Sequence, residues 1–368
     1  MKAVISDVKE LRGLLLALKK ERSIDACRIM ADEDHLIFQG FGEDHIKSYR
    51  LDAAVDQEGS CIIELMEFDK IVAKLKKIGG SIGIDLDGDY VEFAHDSLNF
   101  RLGLSHYARY DLPGSRDRIE GTTVTAPGPD LKAALESCLI AASTEQKRPA
   151  ICAVNLTSEG MWSTDGHRMR LYDLPLPVGD ETVGVPTSTV KALTYGMSKL
   201  ADGGDVEISF NAEKIVFSFG GHSVVSNRVQ KGAPDFRGVL PNRASANARA
   251  TIDSKSALEA LDVIKIIASK KTNRVNFKVD KSNKHPIYLY ASSAKNNREG
   301  TAPIEGTISL GNERVSFGVN HDYLIDAIKD LGVDEVEISI LDTLAPVKIQ
   351  ASGDGRDNHF WIVMPMRL

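Results

Sequence analysis

The feature that most constrains this chain is that it repeats. Val206-Glu-Ile-Ser209 and Val336-Glu-Ile-Ser339 are one tetrapeptide met twice, 130 positions apart, each behind a glycine or acidic turn. A fixed period of this kind means one supersecondary unit used several times, so neighbouring elements should recur with it. They do. Three stretches carry apolar residues at helical spacing: Val8, Leu11, Leu15 and Leu18; Leu131, Leu135, Cys138 and Leu139; Leu258, Leu261 and Ile264. Near the middle of each period comes a second such stretch: Phe68, Ile71, Leu75 and Ile78; Val190, Leu193, Met197 and Leu200; Leu324, Ile328 and Leu331.

Behind each second stretch an alternating run begins, at 81–86, 204–209 and 334–339, and more strand-like runs fill 28–51, 150–174 and 275–308. Each unit reads helix, strands, helix, strands. The expected class is α+β, with three repeated modules at 1–121, 122–245 and 246–368. Joints are expected at 115–128 and 241–250, where Pro, Gly, Ser, Thr and Arg displace the apolar periodicity.

With 368 residues, 42% hydrophobic and 26% charged, the chain is long enough to bury substantial cores. No apolar run approaches the roughly 20 residues that cross a bilayer, and residues 1–10 lack a secretion-signal pattern. No membrane partner is expected, and the expected location is cytoplasmic. Cys27, Cys61, Cys138 and Cys152 form no C-x-x-C pair, which argues against a disulfide framework or a zinc site; they read as small buried hydrophobes. The net charge of −7 points away from nucleic acid unless the basic residues gather on one surface.

Little in the chain suggests chemistry. Thr164-Asp-Gly-His-Arg168 holds an Asp and a His two apart, but between strand-like runs Asp165-Gly166 is a turn signal, and no Ser or Cys nearby has a nucleophile's context. Asp85-Leu-Asp-Gly-Asp89 is a weak match to a calcium loop, with Asp96 where that loop needs Glu, and reads better as a hairpin turn. There is no P-loop, no G-x-G-x-x-G and no H-E-x-x-H, so no enzymatic activity, cofactor or metal is expected.

Two features ask for another role. Lys70, Lys74 and Lys77 recur at i, i+4 and i+7, opposite the stripe of Phe68, Ile71, Leu75 and Ile78. Basic residues mark other helical stretches too: Lys9, Arg12, Lys19 and Lys20; Lys191 and Lys199; Lys255, Lys265, Lys270 and Lys271. Gathered on one surface, these would hold a phosphate backbone by charge without reading bases. The second feature is the apolar ending Phe360-Trp-Ile-Val-Met-Pro-Met-Arg-Leu368, at a place where chains usually fray. Pro365 cannot donate to a sheet ladder, so pairing is expected to fail there and to free Met366 and Leu368 to line a groove.

Thr164-Asp-Gly-His-Arg168, Pro234-Asp-Phe-Arg-Gly-Val-Leu-Pro241 and Met364-Pro-Met-Arg-Leu368 together resemble the β subunit of bacterial DNA polymerase III, and the threefold organisation extends the resemblance over essentially the whole chain. The resemblance implies a homodimeric ring with helices lining a channel around double-stranded DNA and antiparallel sheets outside. It would be closed by head-to-tail contacts of the first domain with the partner's third. It implies a processivity factor, with the polymerase III α subunit, the clamp loader and other proteins carrying clamp-binding linear motifs as partners.

Carried over by motif, the peptide-binding groove would comprise Arg148, Ile151, Thr164, Gly166, His167, Arg168, Met169, Pro234, Val239, Tyr323, Leu344, Pro346, Ile362, Met364, Pro365, Met366 and Arg367. The rim contacts would come from His167 and Arg168. The DNA-facing residues would be Arg22, Gln146 and Lys147 together with Lys70, Lys74, Lys77, Lys191 and Lys199; the dimer contact would use Lys74, Phe100 and Arg101 against Ile266, Ile267, Glu299 and Glu305. Gly238 stands where some members carry arginine, and Glu299 and Glu305 share their segment with Lys295 and Arg298. That altered segment keeps a second reading open, a clamp-like paralogue acting as a peptide-binding scaffold.

Overall fold

The computed structural model describes all residues except 97, 110–118, 146, 201–202, 230–233, 241–245, 294–296, 312–313, 354, 357 and 367–368, and the side chains of 109, 239, 310 and 311. The chain divides into two compact units. The first is Met1–Leu139 with Ala153–Ser158 and Leu176–Lys231; the second is Ile140–Cys152 with Glu159–Pro175 and Gly232–Leu368.

In the first unit β1 (Lys2–Ile5) leads into α1 (Val8–Lys19), where the Asp7 carboxylate accepts from the Lys9 N–H at 2.7 Å and caps the helix. Val8, Leu11, Leu15 and Leu18 are all buried, as their spacing requires. α2 (Leu65–Leu75) packs on α1, and Asp69, sealed between them, accepts from Lys19 Nζ at 2.6 Å and from Arg12. Two of the basic residues on α1 are therefore spent on joining helices. Lys47, fully buried on β4 (His45–Asp52), donates to the carbonyls of Leu18 at 2.6 Å, Ala17 at 3.5 Å and Lys20, closing the last turn of α1, where the helix dipole favours a cation.

Two sheets complete this framework. Five strands run in the order β5 (Ala54–Gln57), β1, β7 (Ile82–Asp87), β8 (Tyr90–His95) and β9 (Leu98–Gly103). Eight run β10 (Thr122–Pro127), β15 (Asp205–Phe210), β16 (Lys214–Phe219), β17 (His222–Asn227), β4, β3 (His35–Phe41), β2 (Cys27–Asp32) and β6 (Gly59–Ile63). α4 (Thr187–Leu200) crosses the larger sheet at Gly196, where an added Cβ would lie 2.6 Å from the Tyr49 hydroxyl, so the helix tolerates a central glycine to let its backbone approach β4. A short pair, β11 (Ala153–Thr157) with β14 (Val183–Pro186), also lies in this unit, as does most of α3 (Gly128–Ala141).

Several local expectations change. α2 stops at Leu75 because Gly79 and Gly80 follow in left-handed conformations; Lys77 therefore sits in a turn beyond the helix, and Ile78 is 62% exposed and not part of the apolar stripe. Residues 122–127, expected within a joint, are strand β10: Val124 and Ala126 are buried at period two, a pattern hidden by small and hydroxyl-bearing residues. Residues 248–250, at the end of the other expected joint, open β18 (Ala248–Asp253). Cys27, Cys61 and Cys138 are buried, whereas Cys152 is half-exposed and donates to the Glu145 carbonyl at 3.2 Å.

In the second unit the strand order is β12 (Gly160–Thr164), β13 (Arg168–Tyr172), β26 (Phe360–Val363), β25 (Val347–Ala351), β24 (Glu335–Ile340), β18 and β22 (Gly306–Gly311). A separate four-stranded sheet runs β21 (Arg298–Pro303), β20 (Ile287–Ser293), β19 (Arg274–Asp280) and β23 (Arg314–Asn320). α5 (Ser254–Ile267) and α6 (His321–Leu331) pack with these sheets over one continuous core that includes Leu261, Ile264, Phe277, Leu289, Phe317 and Trp361.

Candidate functional site

The Thr164 to Arg168 motif is the turn between β12 and β13. Asp165 Oδ1 accepts from the N–H groups of His167 at 2.8 Å and Arg168 at 3.0 Å, while the Thr164 hydroxyl donates to the Arg168 carbonyl at 2.6 Å and accepts from the Gly166 N–H at 3.0 Å. Gly166 has φ +91°, and a Cβ there would press to 3.0 Å against the Arg148 guanidinium. The Asp165 carboxylate is consumed by the turn, as a hairpin requires.

β26 lies between β13 and β25, with Met169 opposite Ile362 and Val347 opposite Val363. Beyond it the Met364 N–H donates to the His167 carbonyl and the Met366 N–H to the Gly318 carbonyl, both at 2.8 Å, with Pro365, which has no N–H, between them. The backbone of Met366 is therefore held, contrary to the expectation that pairing lapses; the side chains of Met364, Pro365 and Met366 remain half-exposed. Pro346 directly precedes β25, and Asp342 Oδ1, accepting from the N–H groups of Leu344 and Ala345 at 2.6 Å each, turns Leu344 outward to 57% exposure.

The expected groove residues thus fall into layers. Arg148, Gly166, His167 and Pro234 are exposed; Thr164, Arg168, Tyr323 and Pro346 are half-buried; Ile151, Met169 and Ile362 are buried. Met169 and Ile362 belong to a small cluster with Trp162, Leu171, Phe236 and Phe360, through which the 234–241 motif is tied to the two strands. The Val239 side chain, Arg367 and Leu368 lie outside the described residues.

Arg168 is more than a rim residue. Its guanidinium donates to Asp165 at 3.0 Å, to Asp326 at 2.5 Å and to the Ile140 carbonyl at 2.8 Å, and lies 4.6 Å over the Tyr323 ring. Burial, then the Asp165 carboxylate, push the Tyr323 phenol up from its ordinary pKa. Two residues along β13, Arg170 is fully buried, pairs with Asp330 at 2.8 Å and donates to the Leu171 carbonyl at 2.7 Å; Asp330 also accepts from the Trp361 indole at 2.9 Å. The geometry is commensurate: two strand residues span about 6.6 Å and four helical residues about 6 Å. The motif-based reading missed Arg170, Asp326 and Asp330. Their signal was present as two arginines on one face of an apolar strand and a D-x-x-x-D spacing on a helix.

Of the residues expected to face DNA, Arg22, Lys70, Lys74, Lys77 and Lys199 are exposed and Lys191 is half-buried, all in the first unit. Lys199 sits 5.6 Å from the centre of the Tyr195 ring. Lys147 is exposed in the second unit, and Gln146 lies outside the described residues. Of those expected at a dimer contact, Phe100 and Arg101 lie on β9, the last strand of its sheet; Phe100 stacks on Phe93 at 5.0 Å and Arg101 pairs with Glu92. In the second unit Ile266 is 66% exposed beside exposed Val263, Ile267 is half-buried, and Glu299 and Glu305 are exposed. In the first unit a cavity of about 820 Å³ lies on the face of the five-stranded sheet, between Lys2, Gly83, Ala94 and Arg101.

Residues 237–367 match the family model described as the DNA polymerase III beta subunit, C-terminal domain. The beta sliding clamp of Caulobacter vibrioides is 24% identical over 328 residues, covering 86% of this chain and 84% of the relative, and that of Bacillus subtilis is 22% identical over 377 residues, covering 98% and 97%. Among solved structures, the DNA polymerase III subunit beta of Pseudomonas aeruginosa superposes with a TM-score of 0.86 at 18% identity, covering 100% of both chains. The sliding clamp of Bacillus subtilis gives 0.86 at 20% identity, covering 100% of this chain and 99% of that one. At such identities the structural likeness establishes the fold. The chain is thus similar, by the family model over its C-terminal part and in sequence and fold over nearly its whole length, to bacterial DNA polymerase III β subunits, the β sliding clamps.

Proposed function

We propose that the chain is a DNA polymerase processivity factor: two copies form a ring around duplex DNA and tether the polymerase and other proteins that carry clamp-binding motifs. The observation that carries this is the end-to-end likeness to sliding clamps, with TM-score 0.86 over all of this chain. The protein is a non-catalytic subunit, and the Asp165 turn offers no active site.

Ring closure is supported by the sheet ends. β9 and β21 each terminate a sheet, and the candidate contact residues Phe100, Arg101 and Glu299 lie on them, so edge-to-edge pairing of one copy's β9 with the other's β21 would extend both sheets. A phosphate channel needs only weak attraction once the link is topological, which reconciles exposed Lys70, Lys74 and Lys199 with the net charge of −7. The peptide groove is assigned to the layer between the 164–168 turn, Leu344–Pro346 and the Met364–Met366 tail, where half-exposed apolar side chains would accept a partner's Leu and Phe. Among the described residues no helix is long and apolar enough to cross a membrane, and a replication role belongs to the cytoplasm.

The test is retention on DNA after loading by a clamp loader. The protein should remain on nicked circles and run off the same DNA once linearised; equal retention on both forms defeats the ring. Peptide binding without such retention would identify an interaction scaffold instead.

A further inference from the structure

The four-stranded sheet of the second unit has two faces of opposite chemistry. Val275, Phe277, Val279, Ile287, Leu289 and Ala291 point into the core. The alternate residues form a grid fixed by the register: half-exposed Lys278 lies between half-exposed Ser316 and Tyr288, and half-exposed Asn276 lies between buried Gly318 and half-exposed Tyr290. Tyr288 and Tyr290 are therefore adjacent on one face of β20, a central strand. Their rings flank one cation, since Lys278 Nζ is 4.6 Å from the Tyr290 centroid and 5.8 Å from that of Tyr288.

Among the described residues Lys278 has no carboxylate partner, although it sits in a chain with net charge −7. Arg274 and Arg314 bracket it along the grid, and Lys281 and Lys284 are exposed in the turn that joins β19 to β20. Against these stand two acids. Asp280 is paired with Arg314 at 3.2 Å and accepts from Ser282, and Glu299 stands 3.5 Å from the Tyr290 hydroxyl. A cavity of about 460 Å³ opens between Asn276, Lys278, Tyr288, Arg314 and Ser316.

Two aromatic rings at successive outward positions of a central strand, a cation between them, and further cations at the rim match what unpaired bases on a phosphate backbone require. Each ring offers a stacking surface to any base, and the cations follow the backbone. A peptide groove would need an apolar floor, and duplex DNA hides its base faces from the rings. We infer that this sheet face binds single-stranded nucleic acid, by stacking on Tyr288 and Tyr290 and by charge from Arg274, Lys278 and Arg314. None of the proposed contact residues is among those assigned to the peptide groove or to the basic helices, although Gly318, next to Asn276 in the grid, accepts from the Met366 N–H.

The experiment is fluorescence anisotropy of a labelled oligothymidylate with the full-length protein, beside a blunt duplex of equal length. The single strand should bind more tightly than the duplex, and its affinity should fall with added salt. Tyr288→Ala with Tyr290→Ala should weaken binding by about tenfold or more, and Lys278→Glu should act in the same direction. Tyr288→Phe with Tyr290→Phe keeps the rings and should keep the affinity, which separates a stacking role from a folding defect. Lys70→Glu with Lys74→Glu should leave oligothymidylate binding unchanged. Absence of single-strand binding at low salt, a preference for duplex, full affinity in the alanine pair, or loss confined to the helix variant would each overturn the site.

Discussion

Arg170 Nε lies 2.8 Å from Asp330 Oδ2, with the arginine side chain fully sealed and the aspartate nearly so. Together with Arg168 and Asp326 it fastens α6 to β13, the strand that carries the 164–168 turn and pairs with β26. The partner-recruiting surface assigned to the turn and the tail therefore rests on a buried ionic frame.

Breaking that frame at one partner should be costly. Arg170→Met removes the cation that neutralises the buried Asp330 carboxylate, so a loss of about 3–5 kcal/mol in urea unfolding is expected. Pairing Arg170→Met with Asp330→Leu should recover most of it. An Arg168→Ala change, at a pair that is partly exposed, should cost about 1–2 kcal/mol.

The tail separates recruitment from assembly. Deleting residues 366–368 removes the Met366 link to Gly318 and the end of the assigned groove, but no candidate dimer residue. Binding of a clamp-binding peptide should weaken by more than about tenfold, measured by calorimetry, with the solution mass unchanged. Unchanged affinity would move the groove elsewhere.

Gly196 and Tyr49 make a packing test. Gly196→Ala would gain about 1 kcal/mol of helix propensity yet place a methyl 2.6 Å from the Tyr49 hydroxyl, for which overpacking costs about 1–3 kcal/mol. A net loss is expected in thermal unfolding. In a Tyr49→Phe background the loss should shrink, and Tyr49→Phe alone should not destabilise, because among the described residues that buried hydroxyl has no hydrogen-bond partner.

His45 sets an acid limit. Burial, then the neighbouring Lys47 cation, lower its pKa from 6.5 to about 3, and among the described residues neither ring nitrogen has a partner. Since the folded pKa is depressed, the unfolded chain takes up a proton below 6.5 that the folded chain refuses until about 3, so stability falls as pH drops through that window. Relative to a His45→Leu variant, the protein should lose about 2 kcal/mol between pH 7 and pH 5. A constant difference between the two would show that His45 is not held neutral.

What the sequence by itself determined was the local and the periodic. The spacing of Val8, Leu11, Leu15 and Leu18 dictated a buried helical stripe, the twin V-E-I-S segments dictated matching strands, and Asp165-Gly166 dictated a turn, because each depends only on backbone period and on residues a few positions apart. Where the period was masked, as in Thr122–Pro127, or cut short, as at Gly79, the reading slipped by several residues. Tertiary structure alone decided which charges remain available. Arg12 and Lys19 looked like members of a phosphate-facing set until α2 brought Asp69 between them, and Arg168 looked like a rim contact until α6 brought Asp326. A charge in sequence carries no record of its partner, and only packing, by excluding water and fixing distance, settles whether it faces a ligand or holds the fold.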